Sequence, residues 1–115
     1  MKEKKITEIV VELMLDKKAL DIKVIKVDKL TSLTDYFINC SSESDPQTRA
    51  IKNHIQDTLS SEYSLKPQHI EGFENLQWVL MDYATVVINI FNKETREYYD
   101  VERLWADADI KTIKK

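Results

Sequence analysis

Apolar residues recur at helical spacing near the start of the chain. Ile6, Ile9, Val10, Leu13 and Met14 follow the i, i+3, i+4, i+7, i+8 pattern of one helix face, and the acidic residues of this segment lie outside that stripe. The spacing predicts a first helix over residues 5–18. The β-branched run 22–27 is too short for an amphipathic helix and predicts a strand. A loop-like stretch follows, and residues 35–40 predict a second strand.

A second helix has a clear start signal. Ser44 and Gln47 form a capping-box pair, or Asp45 caps the helix with Pro46 in its first turn. Apolar residues four apart then form its core face, and these are Ile51, Ile55 and Leu59. A hairpin follows, because residues 77–82 and 85–91 are strand-like runs around a tight connection at Tyr83 and Ala84.

The hairpin has two faces of different character. If Tyr83 and Ala84 form the loop, residues whose numbers sum to 167 oppose each other and share a face. One face is wholly apolar and predicts the seat of the helices: Val79, Met81, Val86, Ile88 and Ile90. The other is mixed: Trp78, Leu80, Asp82, Thr85, Val87, Asn89 and Phe91. Aromatic residues within a polar rim are typical of a protein interface. Alternatively, the C-terminal segment covers this face.

That segment has the pattern of a short polar helix. Tyr98, Val101, Leu104 and Trp105 recur at helical spacing, which predicts a helix that docks by its aromatic side chains. Residues 94–109 also carry six acids against Arg96 and Arg103, so a partner that approaches here meets negative charge.

Composition and charge limit the classes of function and partner that the chain can have. A chain of 115 residues, 43% hydrophobic and 32% charged, fits one domain with a packed core. No apolar run approaches the length of a membrane-spanning helix, and we expect a cytoplasmic protein that does not bind membranes. The net charge is −3, but residues 6–110 carry 11 basic and 19 acidic side chains, or −8. Such a body disfavours nucleic acid and suits a basic protein partner, unless the acidity only aids solubility.

Arrangements for catalysis or metal binding are weak. Cys40 cannot form an internal disulfide, and with only His54 and His69 it cannot complete a zinc site. We expect Cys40 to be a small buried thiol rather than a nucleophile paired with a histidine. Asp107 and Asp109 are better explained as solvated acids than as metal ligands. A single glycine excludes a glycine-rich phosphate loop, and we expect no cofactor.

Taken in order, several of these segments carry a family resemblance. The sequence resembles the ribosomal silencing factor family, also called the Iojap family, over about residues 6–109. The matching residues are Asp35, Tyr36 and Phe37; Ser44, Asp45, Gln47, Ala50 and Ile51; His69, Ile70, Glu71 and Gly72; Trp78, Val79, Leu80, Asp82 and Tyr83; and residues 94–97 with Leu104 and Trp105. The chain departs from the family pattern at Ser42, Ala84 and Ala106, where glycine is usual, and at Pro46, Thr85 and Asn89, where arginine, aspartate and histidine are usual.

The resemblance implies a single mixed α/β domain over residues 1–115, with a sheet flanked by helices in a topology similar to that of nucleotidyltransferases but without their catalytic motifs. We expect its basic ends, about residues 1–5 and 110–115, to fray. It also implies a protein that is not an enzyme. Such a protein binds large ribosomal subunit protein fourteen, blocks joining of the two subunits and lowers translation when nutrients are scarce, as in stationary phase.

The mixed hairpin face supplies a hypothesis for the partner-binding residues. Trp78 and Leu80 would form the apolar centre, surrounded by acidic, polar and aromatic side chains, namely Glu71, Asp82, Asn89, Tyr98 and Asp100. Three other interpretations remain open. The chain could be a large-subunit assembly factor, a module that pairs with itself as a homodimer, or an enzyme of the nucleotidyl-transfer type, which would need a metal-bound carboxylate pair.

Overall fold

Six strands and flanking helical segments make up the described part of the chain, residues 5–99 and 101–113 of a computed structural model. In chain order the elements are α1 (Ile6–Asp16), β1 (Leu20–Lys26), β2 (Tyr36–Ser42), α2 (Asp45–Tyr63), β3 (His69–Glu71), β4 (Trp78–Asp82), β5 (Val86–Asn92), α3 (Lys93–Tyr99), a 3₁₀ segment (Val101–Trp105) and β6 (Asp109–Thr112). The predicted mixed sheet with flanking helices is confirmed.

The strand order is β3-β4-β5-β2-β1-β6, so β3 and β6 form the edges. The central pair, β2 and β5, is parallel and the other neighbouring pairs are antiparallel. A parallel pair needs a long crossover connection, and α2 lies within it. This crossover brings β2 beside the hairpin of β4 and β5.

Helices α1 and α2 cover one face of the sheet. The stripe that predicted α1 packs there against Ile51, Ile55 and Leu59 of α2, and all of it is buried except Ile6, which is partly buried. All five residues of the predicted apolar hairpin face lie in the same core. The prediction that this face seats the helices is therefore confirmed. The opposite side of the sheet is called the outer face below.

The start of α2 follows the predicted cap. The Ser44 side chain accepts a hydrogen bond from the Gln47 N–H (3.2 Å), and Pro46 lies in the first turn. The Gln47 side chain in turn accepts from the Glu43 N–H (2.8 Å). Both partners of the predicted pair thus satisfy backbone N–H groups near the helix start that have no partner within the helix.

The hairpin register differs from the prediction by one loop position. Trp78 opposes Phe91 and Val79 opposes Ile90, so opposed numbers sum to 169 rather than 167. Ala84 and Thr85 form the loop, because the Tyr83 N–H donates to the Val86 carbonyl (2.9 Å). The predicted loop was wrong, but the two faces were right. A change of two in the sum preserves the alternation of side chains between faces.

Three other features differ from the sequence-based expectations. The segment 94–105 forms a short helix followed by a 3₁₀ segment rather than one helix. Strand β3 was not predicted. Strand β6 falls partly in the end that was expected to fray, and it pairs with β1 through Ile110 opposite Ile25 and Lys111 opposite Val24. Pairing with a strand distant in sequence orders a stretch whose own pattern is mostly polar.

Candidate protein-binding site

The outer face is covered over its centre and partly exposed at β4. We define α3 and the 3₁₀ segment together as the C-terminal cover. Helix α3 packs over β5 and β2, and the 3₁₀ segment contacts β2 through Trp105 on Phe37 (5.2 Å between ring centroids). The outer side chains of β5 are therefore buried: Val87, Asn89 and Phe91. Along β4, in contrast, buried and partly exposed residues alternate. The alternative that the C-terminal segment covers this face is therefore confirmed over β5, whereas the interface at β4 stays a prediction.

Trp78 lies at the boundary of the C-terminal cover. Its ring contacts Phe91 on the neighbouring strand (5.0 Å between ring centroids) and Tyr99 of α3 (5.8 Å). Tyr98 extends this aromatic group by an edge-on contact with Tyr99 (5.0 Å) and is 81% exposed. Trp78 itself is only partly buried. The exposed rings of Tyr98 and Tyr99 therefore form an aromatic surface beside Trp78.

Acidic groups flank this aromatic surface toward the sheet edge. Glu71 of β3 opposes Leu80, and Asp82 opposes His69, so these four side chains lie on the outer face. Glu71 is exposed and its Oε1 lies 2.9 Å from His69 Nε2. Asp82 accepts a hydrogen bond from the Ala84 N–H (2.8 Å), which holds its carboxylate at the loop.

A series of side-chain hydrogen bonds runs inward from Trp78. The indole Nε1–H donates to Asn89 Oδ1 (2.9 Å), and Asn89 Nδ2 donates to Asn39 Oδ1 (2.9 Å). Asn39 Nδ2 donates to Glu102 Oε2 (3.0 Å), and the other carboxylate oxygen accepts from Arg96 Nε (3.0 Å). We call these five residues the Trp78 relay. It joins the partly exposed ring to the C-terminal cover.

Arg96 of α3 is the last residue of the Trp78 relay. It is only 8% exposed, and its Nη1 donates to the Asp21 carbonyl (2.6 Å) and to Ser41 Oγ (2.8 Å). Its Nη2 is buried without a hydrogen-bond partner among the described residues. The sequence pattern did not predict this role, since Asp21 and Ser41 lie more than fifty residues from Arg96 in the chain. Its only signal was a basic residue amid six acids.

The predicted site residues separate into three groups. The structure brings Trp78, Leu80, Glu71 and Asp82 together on the outer face, with Tyr98 on the adjoining helix. Asn89 was expected to contribute to the surface but is 6% exposed, because the C-terminal cover lies over β5. It supports Trp78 from behind. Asp100 lies outside the described residues.

The candidates for chemistry have structural explanations. Cys40 is fully buried in the core, and this burial raises the pKa of its thiol to about 12 although the nearby Arg96 charge acts to lower it. His54 lies 2.9 Å from Asp16, and His69 pairs with Glu71. The expectation of a buried thiol is confirmed. Such a thiol is a poor nucleophile at neutral pH.

The other acids in the described part of the chain offer no assembled metal site. Asp107 and Asp109 are both exposed, and Asp109 begins β6. Within residues 5–99 and 101–113, no group of three or more histidine, cysteine, aspartate or glutamate side chains is placed to hold a metal ion. Over the same ranges, no helix has the length and apolar character needed to cross a membrane.

Comparison with known proteins gives a consistent result. A family model described as "Ribosomal silencing factor during starvation" matches residues 1–115. The ribosomal silencing factor of Bacillus subtilis strain 168 is 36% identical over 110 residues, which cover 96% of this chain and 92% of that protein. The mouse protein named "Mitochondrial assembly of ribosomal large subunit protein 1" is 30% identical over 100 residues, covering 85% of this chain and 44% of that protein.

A solved structure supports the same relationship. A crystal structure of a protein from Chromobacterium violaceum superposes with a TM-score of 0.84 at 34% identity, over 91% of this chain and 87% of that one. The family match spans the whole chain, and the similarity to the B. subtilis protein covers nearly all of both sequences. The chain therefore belongs to the ribosomal silencing factor family.

Proposed function

We propose that this protein binds the large ribosomal subunit through ribosomal protein fourteen and thereby prevents the small subunit from joining. In this role it represses translation in the cytoplasm when nutrients are scarce. The observation that carries the proposal is the partly exposed Trp78, which is held between Phe91 and Tyr99 beside the acidic residues Glu71 and Asp82. Family membership supplies the ribosomal context.

The composition of the surface suits a basic protein partner. Aromatic residues in a desolvated centre contribute much of the binding energy at protein interfaces. Acidic groups around that centre speed the encounter with a basic partner and orient it. The −8 charge of residues 6–110 acts in the same direction over longer distances.

A bound protein of this size is sufficient to block subunit joining. The chain measures 39 × 33 × 29 Å along its principal axes. A standard protein interface buries roughly 1,200–2,000 Å² in total, which leaves most of such a molecule projecting from the subunit. Steric obstruction needs no catalytic step, so we propose a role that does not involve enzymatic activity.

Sedimentation of mixed subunits tests the proposal. The protein is titrated into purified large subunits, small subunits are added, and the fraction of joined ribosomes is measured. We expect the joined fraction to fall as the large subunits become saturated. If the protein binds but joining is unchanged, the blocking mechanism is wrong. If it does not bind large subunits, the whole proposal is wrong.

A role in large-subunit assembly is the second candidate. The name of the mouse relative refers to assembly of the mitochondrial large subunit. Assembly and blocking make different demands, because an assembly factor binds immature subunits in preference to mature ones. Comparing the affinity of the protein for immature and mature subunits separates the two roles.

A homodimer formed through the exposed aromatic surface is a further alternative. Such a dimer would dissociate when the ribosomal protein is added. Measuring the mass of the free protein at several concentrations, with and without that partner, detects this change.

A further inference from the structure

We propose that Glu102 and Arg96 are positioning residues for partner binding, which they influence by setting the orientation of the Trp78 indole through Asn39 and Asn89. The inference rests on the proposed function, because it concerns the same surface. It adds that the affinity of this surface depends on a carboxylate in the C-terminal cover that belongs to a different element from Trp78.

The groups at the two ends of the relay determine which atoms between them donate hydrogen bonds and which accept them. An indole N–H can only donate a hydrogen bond, and an ionised carboxylate can only accept. Asn89 must therefore turn its carbonyl oxygen toward Trp78 and its NH₂ toward Asn39. Asn39 must do the same between Asn89 and Glu102. The observed donors and acceptors follow this order at 2.9, 2.9 and 3.0 Å.

Burial makes each link of the relay costly to break. Asn39 is 3% exposed, Asn89 6% and Arg96 8%, so water has little access to replace a lost partner. A buried amide without its partner costs far more than an exposed one. Hydrogen bonds in series also polarise one another, and the carboxylate at the end strengthens the bond that precedes it. We therefore expect loss of the Glu102 charge to weaken the series of hydrogen bonds as far as the Trp78 indole.

The contacts of the ring explain why its orientation needs this support. Tilted contacts with Phe91 of β5 and Tyr99 of α3 hold the ring from two different elements. The hydrogen bond to buried Asn89 directs the N–H edge of the ring inward. The opposite edge is then the part of Trp78 that a partner meets.

The first test uses the free protein and needs no partner. The indole ¹H–¹⁵N signal of Trp78 is assigned with Trp78→Phe, which keeps an aromatic ring but lacks the N–H. We expect Glu102→Gln to shift this signal and to speed its hydrogen exchange. Glu97→Gln, an equal loss of charge at an exposed position of α3, is expected to leave it unchanged. An unmoved Trp78 signal in Glu102→Gln overturns the relay.

The second test is a double-mutant cycle on binding to purified large subunits. We expect Glu102→Gln to weaken binding about tenfold in the natural sequence, as the loss of a charged hydrogen bond does. In the Trp78→Phe background, where the N–H is already absent, we expect less than about a twofold effect. Equal effects in both backgrounds mean that Glu102 does not act through Trp78, and the inference is then wrong.

A replacement variant and a measurement that needs no partner separate failure of the inference from failure of folding or of the proposed function. If circular dichroism shows that Glu102→Gln does not fold, Glu102→Asp, whose shorter side chain cannot span from Asn39 to Arg96 in the same way, takes its place in both experiments with the same expectations. If the natural protein does not bind large subunits, the proposed function fails, whereas the indole signal still decides whether the relay exists.

Discussion

A Cβ atom placed on Gly72 would overlap the main-chain carbonyl oxygen of Trp78. The loop between β3 and β4 therefore closes on the first residue of β4 only because residue 72 has no side chain. Gly72 also has φ +81°, a left-handed conformation that glycine adopts without penalty. The carbonyl has little room to retreat, since Trp78 is paired with Phe91 in the sheet.

Gly72→Ala tests this close approach. The substitution adds both a steric overlap with the backbone and the penalty of a left-handed alanine. We expect it to lower the free energy of unfolding by about 2–3 kcal/mol, measured by urea denaturation. A change below about 0.5 kcal/mol, the size of an ordinary surface substitution, would show that the loop relaxes freely.

Ala84→Gly is the complementary substitution in the hairpin loop. Ala84 has φ +71°, which is strained for a residue with a Cβ, and its side chain is exposed. Glycine removes the strain but gains more freedom in the unfolded chain. We expect a net rise of about 0.5 kcal/mol in the free energy of unfolding. A loss of stability would contradict the left-handed assignment at this position.

Gln47→Ala tests a link between the two helices. The Gln47 Nε2 donates to the carbonyl oxygens of Lys17 (3.1 Å) and Lys18 (2.9 Å), which follow the end of α1. Its Oε1 also accepts from the Glu43 N–H. We expect the substitution to lower the free energy of unfolding by about 1–2 kcal/mol. Gln56→Ala on the same helix is the matched control, with an expected change within about 0.5 kcal/mol.

Tyr83→Phe tests a buried hydroxyl. Tyr83 is 8% exposed, and its hydroxyl is buried without a hydrogen-bond partner among the described residues. Removing an unsatisfied buried hydroxyl relieves a desolvation cost, so we expect this variant to be about 1 kcal/mol more stable at pH 7. Destabilisation of similar size would reveal a hydrogen bond of the hydroxyl in solution.

The same residue makes stability depend on alkaline pH. Burial raises the pKa of Tyr83 from 10.0 to about 12. Tyr83 therefore loses its proton at lower pH in the unfolded chain than in the folded protein. The folded state is stabilised by the protonated hydroxyl relative to the ionised one. This contribution is fully present below pH 10 and is lost as pH rises toward 12. Cys40 acts in the same direction, since burial raises its pKa from 9.0 to about 12. We expect Tyr83→Phe to lose less stability than the natural sequence between pH 10 and 12, measured by urea denaturation at each pH.

Local patterns explain which elements the sequence could predict. The stripe of α1 and the Ser44 cap depend on neighbours within a few residues, and both are found in the structure. The hairpin faces were also predictable, because alternation survives a register error of two. The three-residue strand β3 and the polar strand β6 were not, since each is defined by its pairing with a distant strand.

The candidate site was predictable only at its surface. Trp78 and Leu80 stand out as large apolar residues among polar ones on one hairpin face. The relay behind them joins residues 39, 78, 89, 96 and 102, which no spacing rule connects. Asn89 was therefore assigned to the surface. Only the position of the C-terminal cover shows that it is buried.

Trp78→Ala tests the centre of the proposed interface. Central aromatic residues carry a large share of binding energy, so we expect the substitution to weaken binding to large subunits by about 2 kcal/mol or more. Leu33→Ala is the control for exposed apolar surface, because Leu33 is 82% exposed in the loop between β1 and β2, and β5 separates β2 from β4 in the sheet. We expect no loss of affinity there. A folded Trp78→Ala protein with unchanged affinity would remove Trp78 from the interface, and equal losses in both variants would indicate a nonspecific apolar effect.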